Sequence, residues 1–107
     1  MEIKIIGGGL AGVEAAYQIA KRGHKAVIFE MRPIVNTPAH KTSMLSELVC
    51  SNSLKSKELK NAHGLLKEEM RILDSIIIRA AYENSIPGGK ALVVDREKFS
   101  RYITDLI

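Results

Sequence analysis

The sequence predicts an α/β fold built on a parallel sheet, and three observations within residues 1–30 carry that prediction. A β-branched run, Glu2–Ile6, breaks abruptly at Gly7-Gly8-Gly9. A helical pattern opens directly after these glycines and closes at Gly23. A second apolar run, Lys25–Glu30, ends on a carboxylate. Strand, glycine turn, helix, strand and acid in that order make one βαβ unit, in which the helical crossover lets the two strands run parallel. The arrangement is of Rossmann type.

Each part of the unit has a physical reason. Glu2–Ile6 alternates only weakly and reads as a buried parallel strand. Gly7 permits the tight turn off that strand, and Gly9 lets the backbone approach a diphosphate. Gly12 lets the helix pack close to the sheet, as does Ala16 one turn later. The helix, Leu10–Arg22, turns its free N–H groups and positive dipole end toward the same place. Gly7, Gly8, Gly9, Leu10, Ala11 and Gly12 are therefore the candidate pyrophosphate-binding residues. Gly23 suits a left-handed C-cap. Glu30, 18 residues beyond Gly12, can accept hydrogen bonds from ribose hydroxyls. A carboxylate there would repel a 2′-phosphate, so FAD or NAD fits and NADP does not.

Beyond Glu30 the pattern changes. Residues 31–45 hold two of the chain's three prolines and read as a loop. Leu45–Leu54 is ambiguous between a short helix and irregular chain. Leu59, Ala62, Leu66, Met70, Leu73, Ile77 and Ala80 step by three or four and predict one long helix, with Gly64 as its weak point. Lys60, Lys67 and Arg71 fall on a neighbouring face. Ile86-Pro87-Gly88-Gly89 ends the element, Lys90–Asp95 reads as a further strand, and Asp95–Ile107 as a helix with Phe99, Tyr102, Ile103 and Leu106 on one face. A doubly wound sheet needs at least two parallel strands beyond its first βαβ unit, and only one candidate remains. The expectation is an incomplete Rossmann-type domain with a long helical insertion after the second strand, residues 1–107 being the N-terminal portion of a longer protein. An insertion of that length beside a cofactor is more often functional than idle.

Composition narrows the classes. With 107 residues, 46% apolar and 26% charged, one packed domain is possible. A single cysteine excludes an internal disulfide and a Cys-rich zinc site. No apolar run is long enough to span a bilayer, and the first residues read as a strand rather than a signal peptide, so a reducing cytoplasm is the expected compartment. A net charge of +4 is compatible with an RNA partner without demanding one. There is no tryptophan, and three tyrosines and two phenylalanines make no stacking platform for bases.

The insertion carries a more specific signal. MRP at 31–33, TPAHKT at 37–42, ELVCSNSLKS at 47–56 and GLLKEEMR at 64–71 are followed by GKALVVDREKFS at 89–100. In that order the strings resemble the N-terminal region of the TrmFO family, the folate- and FAD-dependent tRNA (uracil-5-)-methyltransferases. The resemblance covers essentially the whole chain. The related GidA/MnmG flavoproteins share the glycine motif but word the cysteine segment differently. The resemblance implies FAD as cofactor, a nicotinamide, NAD(P)H, as reductant, and methylenetetrahydrofolate as one-carbon donor. It implies a tRNA partner whose T-loop uridine is methylated at carbon five. Gly8 stands where alanine is common, and IPGGKALVVD replaces a stretch often written with VP and AG; neither changes a catalytic residue type. A GidA/MnmG-like tRNA-modifying enzyme is the nearest alternative, and a truncated dinucleotide-binding chain with no activity alone is the non-enzymatic one.

Cys50 is the candidate catalytic residue. A lone cysteine is ordinarily a small buried hydrophobe. The resemblance, however, places a reactive cysteine within ELVCSNS. Uracil is a poor nucleophile at carbon five, and a thiolate adding to the neighbouring carbon would make an enolate able to attack a methylene electrophile. Nucleophile and helper roles both stay open for it. Ser51, Asn52 and Ser53 could meet a flavin edge or phosphate, or cap a following helix. Arg32 could reach phosphate or adenine, or lie plainly on the surface. His40 could face the flavin, while His24 and His63 read as exposed. Lys55, Lys57, Lys60, Lys67 and Arg71 form either a solvated face, partly neutralised by Glu68 and Glu69, or a contact for a tRNA backbone.

Overall fold

The computed structural model describes residues 1–35, 37–49 and 51–107. Its first part follows the sequence closely. Strand β1 (Glu2–Ile6) leads through the glycines into helix α1 (Leu10–Lys21), which returns to strand β2 (Lys25–Phe29). The two strands pair in parallel, with Glu2 opposite Lys25 and Ile6 opposite Phe29. Arg22 caps α1, and Gly23 at φ +83° makes the left-handed exit. Alternation then decides what each face of the sheet meets. Ile5 lies under α1, close enough that its Cγ2 would sit 3.3 Å from a Cβ at position 12. The opposite face carries Ile6, 85% exposed, and Phe29, 49% exposed, so β1 is covered on one side only and not buried on both as expected.

Six more elements complete the fold. Strand β3 (Ser53–Ser56), helix α2 (Ala62–Ile72), helix α3 (Ile76–Glu83), strand β4 (Ser85–Ile86), strand β5 (Ala91–Val94) and helix α4 (Arg96–Leu106) follow in order. The expected third parallel strand is β5, and it is antiparallel, in a separate sheet ordered β3-β5-β4. The four residues between β4 and β5, with Gly89 at φ +64°, suffice for a hairpin but are far too few for a parallel crossover. Among the described residues of 45–54 none is helical, and the last two, Ser53 and Leu54, open β3. The apolar cluster joins Val13 of α1, Ile76, Ile77 and Ala80 of α3, Leu92 and Val94 of β5, and Phe99 and Ile103 of α4. Leu106, expected on that same face, is half exposed.

The predicted long helix is two helices, and the break is at Asp74-Ser75 rather than at Gly64. Asp74 takes φ +61°, and the Ser75 hydroxyl accepts from Ile78 N–H to cap α3. Residues of α1 secure the break. The Glu14 carboxylate accepts from Ile76 N–H at 3.1 Å and from the Ser75 hydroxyl, and Gln18 donates to the Asp74 carbonyl at 3.1 Å. Lys21 pairs with the Asp74 carboxylate. Short polar side chains that bond their own backbone compete with helical continuation, although the apolar period runs through the break. The stripe itself points elsewhere than expected: Leu59, Leu66 and Leu73 are exposed, while Gly64 and Lys67 face inward. A Cβ on Gly64 would lie 1.8 Å from the Glu58 carbonyl oxygen, so α2 crosses that turn too closely for any side chain. Asn61 caps α2 through Gly64 N–H at 3.1 Å and also donates to the Ser56 hydroxyl. Asn61→Ala is expected to lower stability by about 1 kcal/mol, read as a shifted urea midpoint at constant slope.

Candidate functional site

The site grows from the end of β1. Gly7 at φ +99° makes the turn that an L side chain would strain, and its N–H donates to the Phe29 carbonyl at 2.8 Å. Gly9 caps α1 with no side-chain hydrogen bond, whereas Asn61, Ser75 and Asp95 cap the other three helices with their side chains. Open space surrounds the Cβ position of Gly9. Gly12 is the opposite case: a Cβ there would lie 2.0 Å from the Gly7 carbonyl oxygen. The result is a helix N-terminus whose first N–H groups, on Leu10, Ala11 and Gly12, face an open approach with no acidic residue in the first turn. Such a terminus stabilises an anion through N–H donors and the helix dipole together. This is the fit expected for a diphosphate.

Gly8 has a different job. It is buried, its N–H donates to Glu30 Oε1 at 2.9 Å, and its carbonyl accepts from Ser46 N–H at 2.8 Å. Its N–H is thus spent inside the protein and links the turn to the ribose-binding candidate. Leu45 Cδ2 would stand 2.4 Å from a Cβ at this position. Because that atom is the end of a flexible side chain, Gly8→Ala is expected to cost only about 1 kcal/mol, with Leu45 changing rotamer. A urea titration beside the wild type checks it.

Glu30 sits just past β2, at the rim of a cavity of about 610 Å³ that also touches Ala16, Tyr17, Val27 and Leu45. Its carboxylate is held from within by Arg32. The guanidinium Nε and the backbone N–H of Arg32 both donate to Glu30 Oε2, at 2.9 and 3.0 Å. Those bonds, with Gly8 N–H, lower the Glu30 pKa from 4.5 to about 2 against a smaller opposing effect of burial. At neutral pH Glu30 is therefore an anion that accepts hydrogen bonds. Oε1, which accepts only from Gly8 among the described residues, keeps capacity for a sugar hydroxyl.

Arg32 corrects the expectation most sharply. It is neither a surface residue nor free to reach phosphate or adenine: its side chain is 3% exposed. Nη1 donates to the Thr42 carbonyl at 3.1 Å and to Glu47 Oε1 at 2.9 Å, and Nη2 donates to the Met44 carbonyl at 2.9 Å. Glu47 also accepts from Lys41 N–H, Thr42 N–H and the Thr42 hydroxyl. Burial pushes the Glu47 pKa up, but these donors and the Arg32 charge outweigh it and hold the carboxyl below its ordinary value. Sequence reading missed Glu47, because no spacing rule ties an acid to an arginine 15 residues before it.

The remaining candidates separate. Cys50 lies outside the described residues. Ser51, Asn52 and Ser53 do not cap a helix. Asn52 exchanges hydrogen bonds with Val94 across the second sheet, and the two serine hydroxyls accept from Ser53 and Lys55 N–H. His40 is half-buried against the Thr37 hydroxyl, and His24 and His63 are exposed as expected. Lys67 leaves the basic face. It is buried, donates to the Ser56 and His63 carbonyls at 3.0 and 3.2 Å, and burial lowers its pKa. Arg71, also exposed, pairs with Glu68, while Lys55, Lys57 and Lys60 are exposed with no ion pair among the described residues. Among the described residues no cluster of metal-ligating side chains occurs, and no helix is long and apolar enough to cross a membrane.

Comparison with known proteins gives this geometry a family. The chain is 61% identical over 106 residues to the methylenetetrahydrofolate–tRNA-(uracil-5-)-methyltransferase TrmFO of Dictyoglomus turgidum, covering 99% of this chain and 24% of that protein. It is 55% identical over 107 residues to the TrmFO of Thermosipho africanus, covering 100% of this chain and 25% of that one. For the TrmFO of Listeria monocytogenes the identity is 59% over 105 residues, covering 98% and 24%. The chain thus spans about a quarter of the length of the curated relatives it matches. The family model described as glucose inhibited division protein A matches residues 2–107, from the first strand through the glycine turn and the buried Arg32 to the last helix, and the chain belongs to that family.

Proposed function

We propose that residues 1–107 are the N-terminal portion of an FAD-binding domain, in a flavoprotein that methylates tRNA at carbon five of the T-loop uridine. Methylenetetrahydrofolate would donate the carbon, NAD(P)H the electrons, and the cytoplasm would be the place of action. The observation that carries the cofactor reading is the uncapped N-terminus of α1, with Gly9 open before it and the Glu30 carboxylate beside it. Identities of 55–61% to proteins named TrmFO support the reaction. The bare outer face of the parallel sheet, with Ile6 and Phe29, supports a longer polypeptide, because a parallel sheet is ordinarily covered on both faces.

The work of this chain's own residues follows from the geometry. Leu10, Ala11 and Gly12 N–H groups would bind the pyrophosphate, and Glu30 would orient the ribose. FAD, when bound, supplies the two-electron reduction that turns a methylene carbon into a methyl group. Cys50 is proposed to serve the uracil, since adding a thiolate to the ring makes carbon five nucleophilic. In the enzyme containing the remaining polypeptide, Cys50→Ala is expected to keep flavin and lose methyl transfer, measured with undermodified tRNA. Undiminished methylation would remove Cys50 from the reaction.

Two measurements test the rest. Mixing FAD with the enzyme containing the remaining polypeptide should quench flavin fluorescence and shift its absorbance band; unchanged spectra at high protein concentration would refute the cofactor reading. Reversing Lys55, Lys57 and Lys60 should flatten the salt dependence of tRNA binding by roughly one unit of slope for each phosphate no longer neutralised. An unaltered slope would exclude that face. The match to the glucose inhibited division protein A model also favours a second reading, modification of a different tRNA position, which the site of the modified nucleotide distinguishes.

A further inference from the structure

We infer that Arg32 is the positioning residue of this site: its guanidinium fixes the Glu30 carboxylate against the glycine turn and ties residues 42–47 over that turn as one rigid wall. The inference rests on the reading of the glycine turn and Glu30 as a dinucleotide site. Four donors of a single buried guanidinium are committed at once, to Glu30, to Glu47 and to the carbonyls of Thr42 and Met44. The acceptors come from two segments that are apart in sequence, and both reach Gly8. Glu30 accepts from Gly8 N–H, Ser46 N–H donates to Gly8 O, and Leu45 packs on the Gly8 backbone. The wall is anchored from behind by α4, where Thr104 accepts from Leu45 N–H at 2.9 Å and Ser100 donates to the Ser46 carbonyl at 3.2 Å.

Two features make this positioning rather than general packing. A glutamate carboxylate beyond the end of a strand has three side-chain torsions that set its oxygens, and here three donors remove that freedom before any sugar arrives. The fork is also specific to arginine. A lysine would keep the charge, but its single ammonium could not span two carboxylates and two carbonyls on opposite sides of the side chain. Charge and geometry are therefore separable by substitution.

The experiment uses the chain as it stands. Carboxyl-carbon NMR of wild type should show Glu30 titrating near its lowered value with the Gly8 amide signal following it. In Arg32→Gln the Glu30 midpoint should rise toward the ordinary carboxylate range. Hydrogen-exchange protection of the Gly8 and Ser46 amides should fall at least tenfold. An ordinary Glu30 titration in wild type, or unchanged titration and protection in the variant, would overturn the inference. Should Arg32→Gln not fold, Glu47→Gln decides: the Thr42 and Ser46 amides should lose protection while Glu30 stays low, and unchanged protection would count against the wall. By fluorescence quenching, Arg32→Lys should raise the FAD dissociation constant at least tenfold, and full retention of affinity would show that charge alone suffices. If the enzyme containing the remaining polypeptide binds no FAD, the cofactor reading fails, while the titration and exchange still judge the role of Arg32.

Discussion

Gly12→Ala is expected to lose flavin affinity by more than tenfold and to lower stability by about 3 kcal/mol, at the upper end of ordinary overpacking costs. The added Cβ would stand 2.0 Å from the Gly7 carbonyl oxygen and 3.3 Å from Ile5 Cγ2. The nearer atom is backbone in the turn itself, so no rotamer change relieves the clash. Relief requires α1 to move away from β1, and the N–H groups of Leu10 and Ala11 move with it. Stability and affinity should therefore fall together. Gly8→Ala is the comparison, since there the nearest atom is the movable end of Leu45, with Glu30 Oε1 next at 3.2 Å and no backbone atom in the way. Fluorescence titration with FAD and urea unfolding of both variants make the comparison. Equal, small effects for the two would mean that the turn is looser than these distances require.

The second large effect is expected at Arg32. Arg32→Ala removes the one cation that the Glu30 and Glu47 side chains share, in a place where those side chains are 17% and 12% exposed. Removing one partner from a buried ionic group costs about 3–5 kcal/mol, because the charges left behind keep their desolvation. The same residue governs acid sensitivity. The Glu30 pKa is about 2 in the folded protein against an ordinary 4.5. A lowered carboxyl pKa contributes stability that is complete above the unfolded value and disappears as pH falls through the folded one. At 1.36 kcal/mol per unit, that contribution is about 3 kcal/mol, lost between roughly pH 5 and pH 2. Glu47 adds in the same direction. Wild-type stability should therefore drop steeply over that interval, and Arg32→Ala should be weaker at pH 7 with a flatter acid limb. Parallel pH profiles for the two proteins would show that Arg32 is not what lowers these carboxyl groups.

What could be read from the chain itself divides along a physical line. The order and bounds of the βαβ unit were legible, because each of those signals is local, whereas the burial of β1 was not. Strand period, glycine spacing, the Gly23 exit and the acid after β2 are all set by neighbours within a few residues. From them the dinucleotide reading and its candidate residues, Gly7 to Gly12 and Glu30, followed directly. The string ELVCSNSL pointed to Cys50 through resemblance to a family, and not through local geometry.

Tertiary structure decided what local pattern cannot encode. Apolar period ran unbroken from Leu59 to Ala80, yet Asp74 and Ser75 end one helix and begin another because Glu14, Gln18 and Lys21 of α1 satisfy the exposed backbone and side-chain groups. Gly64 looked like a flaw and is a requirement, since only the meeting of α2 with Glu58 reveals the missing space. Lys67 read as solvated and is buried, and Arg32 read as a ligand contact or surface charge and is a buried partner of Glu30 and Glu47. In each case the deciding partner is distant in sequence or supplied by backbone. Periodicity reports which side of an element is apolar, but only the packed chain determines which polar groups must find one another away from water.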